Sequence, residues 1–99
     1  QGEGVPQNFV EAAKWFKKAA ERGQGDAQFR LAMAYLEGKG VKKNVSEAYI
    51  WFSLAGANNH PGGIKGMDLA EGMMSPQALK QAQARALKIA EEIQKRKKS

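Results

Sequence analysis

The sequence predicts an all-α solenoid: short helices stacked as repeating units and closed by a longer capping helix. Three observations carry this reading. With a shift of 36 residues, Gly2, Gly4, Val5, Asn8, Glu11, Ala12, Trp15, Phe16 and Ala19 fall on Gly38, Gly40, Val41, Asn44, Glu47, Ala48, Trp51, Phe52 and Ala55, or 9 identities in 18 positions. A fixed period of this length belongs to stacked supersecondary units rather than to one closed globule. Within each unit, apolar residues recur at spacings of three and four, the period of a helix face. Between units stand Gly, Asn and Pro, which end helices.

The first helix is expected over about 8–22. Asn8 and Glu11 match Asn44 and Glu47 as paired helix starts, the Asn accepting from a free N–H and the Glu reaching back. Phe9, Ala12, Ala13, Phe16 and Ala20 form its apolar stripe, widened by Trp15 and Ala19, and Gly23 and Gly25 stop it. The second helix is expected over about 26–37 with Asp26 as its cap. Ala27, Leu31, Ala34 and Gly38 share one face, while Phe29, Met33 and Leu36 lie nearly opposite. A helix apolar on two sides is either sandwiched between neighbours or binds something.

The third helix, about 45–58, repeats the first through Ala48, Trp51, Phe52 and Ala55, and Asn58, Asn59, His60 and Pro61 end it. Residues 62–74 lie one period after 26–38. Gly62, Gly63, Gly66 and Gly72 make that stretch a poor helix former, so packing must hold it. Ser75-Pro76 restarts the chain, with Ser as cap and Pro at the first helical position. The last helix, about 76–96, gathers Leu79, Ala82, Ala86, Ile89, Ala90 and Ile93 on one face. The chain thus divides into the second half of a repeat (1–24), a complete repeat (25–60), the first helix of a degenerate repeat (61–74), and a capping helix with a basic tail (75–99).

The pattern Ala27-x3-Leu31-Ala32-x2-Tyr35-x2-Gly38-x-Gly40-Val41, followed by Asn44-x2-Glu47-Ala48-x2-Trp51-Phe52-x2-Ala55, resembles the Sel1-like repeat, a relative of the tetratricopeptide repeat. The resemblance covers 2–57 well and 62–74 loosely. Its signature positions here are Gly4, Ala12, Trp15, Leu31, Tyr35, Gly38, Gly40, Ala48, Trp51 and Ala55. Two departures stand out: this chain has no cysteine where relatives often pin helices together, and Ala32 stands where the family usually has Gly. The resemblance implies a right-handed superhelix of antiparallel helix pairs that serves as an adaptor or scaffold for other proteins. It also implies that first helices line a concave groove. Phe29 and Met33, with Asp26 and Glu37 at the margins, are the groove candidates; the competing reading packs this face on neighbouring first helices.

Charge and composition narrow the function classes. The 16 basic and 10 acidic residues give +6, but Lys95, Arg96, Lys97 and Lys98 account for most of the excess. Such a tail either attracts nucleic acid or an anionic surface, or is a solvated helix end that complements the helix dipole. Nucleic acid is the less favoured partner; another protein is the expected one. The longest apolar runs, Leu31 to Leu36 and Ala48 to Phe52, are far too short to span a bilayer. Cytoplasm and bacterial periplasm both fit. The chain begins within a unit and without Met, so a longer parent array is expected. Phe9, Trp15 and Phe16 would then lose cover, favouring self-association through the N-terminal helix.

No cofactor or metal site is expected, and no catalysis. His60 is the single histidine, and no spacing supplies it with a partner. Gly38-x-Gly40 closes a helix rather than opening one after a strand, so it is a turn and not a phosphate cradle. Cysteine-rich relatives have been linked to β-lactam binding or hydrolysis, but no nucleophile–base pair supports that here. Trp15 and Trp51 repeat at equivalent positions, as core residues of a stack do; partner anchoring is the other reading.

Overall fold

A computed structural model describes residues 5–98 and contains five helices and, among the described residues, no strand. They are α1 (Val5–Glu21), α2 (Gly25–Glu37), α3 (Val45–Ala57), α4 (Gly63–Glu71) and α5 (Pro76–Lys98). Gly2 and Gly4, the first members of the repeat signature, lie outside the described residues.

Successive helices alternate in direction. The short link Arg22–Gln24 folds α2 back on α1. The start of α3 meets the end of α2 where Asn44 N–H donates to Tyr35 O at 2.9 Å. Its far end meets the start of α2, where the Asn58 amide donates to Gln28 Oε1 at 2.9 Å. Helix α4 crosses α3 with Gly63 over Gly56 and Gly66 over Phe52. Helix α5 runs in the direction of α3: Arg85 meets Glu47 near the start of α3, and Arg96 reaches Glu21 O beyond its far end. The result is a slab of 41 × 36 × 21 Å, two helix layers thick.

The core lies around α3. Phe52, Leu31 and Ile50 are its largest wholly buried apolar side chains, among the small residues Ala20, Ala32, Ala48, Ala55 and Ala70. Ala32 fits without space to spare, as the sequence anticipates. On α5 the buried residues are Ala82, Ala86 and Ile93, with Leu79, Ile89 and Ala90 packed beside them, the face that its spacing predicts.

Local signals hold at some helix ends and fail at others. Asn44 caps α3 by accepting from Glu47 N–H at 3.0 Å, and Ser75 caps α5 by accepting from Ala78 N–H at 3.1 Å. Asn59 takes a left-handed conformation (φ 65°). Asn8, in contrast, is not a cap. Helix α1 already begins at Val5, with Pro6 in the first turn, where a missing N–H breaks no intrahelical bond. Asp26 is not a cap either. Gln24 holds that position without a side-chain bond, and Asp26 lies in the first turn of α2, where its charge suits the helix dipole.

The glycines of α4 explain how packing holds a poor helix former. A Cβ on Gly63 would overlap Gly56 N and stand 2.6 Å from Gly56 Cα; one on Gly66 would stand 2.7 Å from Phe52 Cγ. Helices α3 and α4 therefore approach backbone to backbone, and the lost helix propensity is exchanged for close contact.

Candidate functional site

The candidate site is a groove of about 200 Å³ between α1 and α2. Phe9, Ala12, Ala13 and Phe16 form its α1 wall; Phe29, Arg30, Met33, Ala34 and Glu37 form its α2 wall, with Lys39 at the end. The helix period explains the arrangement. Residues 9, 12, 13 and 16 form one stripe of α1, while 29, 33 and 37 lie at four-residue spacing along α2. The two small residues Ala12 and Ala13 leave the depression that the two phenylalanines border.

The sequence candidates fall in different places. Met33 lines the groove, and Glu37 sits at its rim with its carboxylate 3.6 Å from Lys39 Nζ. Phe29 has two duties. Its ring meets Phe52 at 5.7 Å and stacks on His60 at 4.4 Å, while its remaining surface lines the groove. Asp26 lies beyond the groove, at the end of α2 occupied by His60. It pairs with Arg30 at 2.9 Å and with His60 Nε2 at 3.4 Å. The Arg30 hydrogen bond, aided by His60, holds the Asp26 carboxyl below its ordinary range against a small opposing effect of burial.

The signature residues are spread through the fold. Leu31, Ala48 and Ala55 are wholly buried. Tyr35 borders a cleft of about 240 Å³ among α1, α3 and α5, with Trp51 beside it. Gly38 is the left-handed cap of α2, and Gly40 (φ 82°) passes so close to Phe9 O that a side chain there would overlap it. Trp51 is 5% exposed, whereas its repeat equivalent Trp15 is 67% exposed. No helix among the described residues covers that side of α1, and Lys18 Nζ lies over the Trp15 ring at 5.4 Å.

Three links were not visible in the sequence. Gln28, 1% exposed, donates to Ala20 O and accepts from Asn58, and so ties α1, α2 and α3 together. Asn58 also donates to Gly23 O. His60 does have a partner, Asp26, but both ring nitrogens are engaged: Nε2 faces Asp26 and Nδ1 accepts Gly62 N–H at 3.0 Å. No serine or threonine stands with this pair, so it fixes the loop before α4 and lacks the nucleophile of a hydrolytic site. Among the described residues no group of His, Asp or Glu is placed to hold a metal ion, and no helix is long and apolar enough to cross a membrane.

The basic tail continues α5 as helix. Arg96 donates to Glu21 O at 3.1 Å, and the Lys97 side chain lies against Gly23.

Comparison with known proteins agrees with this architecture. The Sel1 repeat profile matches residues 1–24 and again 25–60. The fold is similar to the crystal structure of c5321, a protective antigen of uropathogenic Escherichia coli strains that displays a Sel1-like repeat fold. The TM-score is 0.83 and the identity 28%, over 93% of this chain. This chain spans 21% of the length of that protein. No curated protein matches the chain.

Proposed function

The chain belongs to the Sel1 repeat family, and from that premise we propose that it docks another protein through the groove between α1 and α2. Sel1 repeats and their fold point to protein–protein interaction modules, generally scaffolds rather than catalysts. The observation that carries the groove reading is the meeting of Phe9, Phe16, Phe29 and Met33 around one open depression. Convergent apolar side chains with a charged rim are what a partner segment recognises. Phe29 and Met33 would contact the partner and Glu37 would order the rim, while Asp26 acts from outside by holding Arg30. The 36-residue repeat signature supplies the scaffold that fixes these positions.

A photo-crosslinking residue at Met33 tests this reading, with the same residue at the exposed, distant Leu87 as control. A partner that crosslinks at Met33 and not at Leu87 supports the groove. Crosslinking at Leu87 alone moves the docking surface to α5. A second copy of this chain is the competing occupant, favoured by the exposure of Phe9 and Trp15. A light-scattering mass that does not change with concentration would remove it.

A further inference from the structure

We propose that the occupant of the groove is an acidic amphipathic α-helix lying antiparallel to α1; this rests on the docking role of the groove and specifies its ligand. The chain contains its own template. One period after Ala12, Phe16 and Ala19 stand Ala48, Phe52 and Ala55, and all three of these are buried. Helix α2 packs antiparallel on that side of α3, with Phe29 against Phe52. The α1 surface has the same residue types in the same register, but it is open to solvent at Phe9 and lines a groove at Ala12 and Phe16. The α1 surface thus continues, one repeat earlier, a packing mode that the fold already uses for a helix. An extended segment would not match the i, i+4 spacing of Ala12 and Phe16, whereas the ridges of a second helix do.

Charge specifies the rim of that helix. Three aromatic rings border this end of the fold, and each carries a cation: Lys18 over Trp15 at 5.4 Å, Arg30 over Phe16 at 5.9 Å, and Lys39 over Phe9 at 5.5 Å. Lys39 and Arg30 are more than half exposed, so their outer hydrogens remain open to carboxylates of a partner. A helix that lays apolar residues on Phe9 and Phe16 brings its flanking positions over these cations. Glutamate or aspartate there adds charge-assisted bonds and speeds encounter with a chain of net charge +6.

The probe is a peptide of residues 24–38 of this chain carrying Arg30→Glu, added to the whole chain and followed by NMR. The expected result is saturable binding that shifts the Trp15 indole and Met33 methyl signals. Affinity should fall at least tenfold when the peptide carries Ala32→Pro, which breaks the helix but keeps Phe29 and Met33. It should fall several-fold when the chain carries Lys39→Glu, and again as salt is raised. Equal binding by the proline peptide would overturn the helical occupant while leaving the groove as a docking site. Shifts at Phe52 and Ala48 in place of Trp15 would mean that the peptide displaces α2, and would overturn the proposal. Absence of saturable binding at millimolar peptide would overturn it as well. So would a Trp15 shift with phosphatidylglycerol vesicles but not with peptide, which would assign the face to an anionic lipid surface.

Discussion

Replacing Gly63 with alanine places a methyl group where the backbones of α3 and α4 meet. The new Cβ would overlap Gly56 N and stand 2.6 Å from Gly56 Cα. Backbone atoms inside a helix cannot rotate away, so relief requires α4 to move as a body and to lift Gly66 off Phe52. Overpacking of this kind costs roughly 1–3 kcal/mol. Alanine recovers at most about 1 kcal/mol of helix propensity relative to glycine. With backbone as the obstacle the upper half of the cost applies, leaving a net loss of about 1–2 kcal/mol. In a domain of this size that lowers Tm by about 4–16 °C.

Gly72→Ala is the internal control. It has helical φ, and its Cβ would meet nothing closer than Leu69 O at 3.6 Å. The same chemical change there should stabilise by about 0.4–1 kcal/mol through the unfolded chain. Thermal unfolding followed by circular dichroism compares the two variants. If Gly63→Ala were as stable as Gly72→Ala, the close approach of α3 and α4 would not be what holds the glycine-rich helix.

Gln28→Ala should cost about 1–3 kcal/mol, because it removes a buried side chain and takes the acceptor from the Asn58 amide; urea unfolding reads this as a lower midpoint at constant slope. Gly40→Ala combines a left-handed backbone with overlap on Phe9 O, so a loss of at least about 1–2 kcal/mol is expected, with hydrogen exchange faster at the start of α1. The Asp26 carboxyl has a folded pKa below its unfolded value, so its contribution is present above the unfolded pKa and disappears as pH falls through the folded one. Wild type and Asp26→Asn should therefore differ in Tm at neutral pH and converge in strong acid; a gap that persists there would contradict the pairing.

The parts of the fold readable from sequence are those set within one helix or one turn. Asn44 and Ser75 cap because their own neighbours supply the free N–H groups, and α5 shows its buried face because one helix period is enough to define it. Asn8 carries the same local motif as Asn44 and behaves differently. The loop before Asn44 returns to bond Tyr35, whereas the residues before Asn8 are already helical. A motif does not record which of these precedes it. The pairs Gln28–Asn58 and Asp26–His60 join residues 30 and 34 positions apart, and no residue spacing announces them. For the groove, Phe29 and Met33 were readable on α2, but their α1 partners depended on how two helices turn toward each other. The exposed Trp15 shows the same limit, since identical repeats have different neighbours at different points of a stack.

The most direct test of the groove uses the four methionines as reporters, with their methyl groups labelled and the crosslinked partner added to the whole chain. Met33 lies in the groove, while Met67, Met73 and Met74 lie on α4 and the turn after it. Docking between α1 and α2 predicts that the Met33 methyl shifts and broadens while the exposed Met73 methyl stays in place. A shift at Met73 and Met74 with Met33 unchanged would contradict the account and put the partner on the opposite end of the stack.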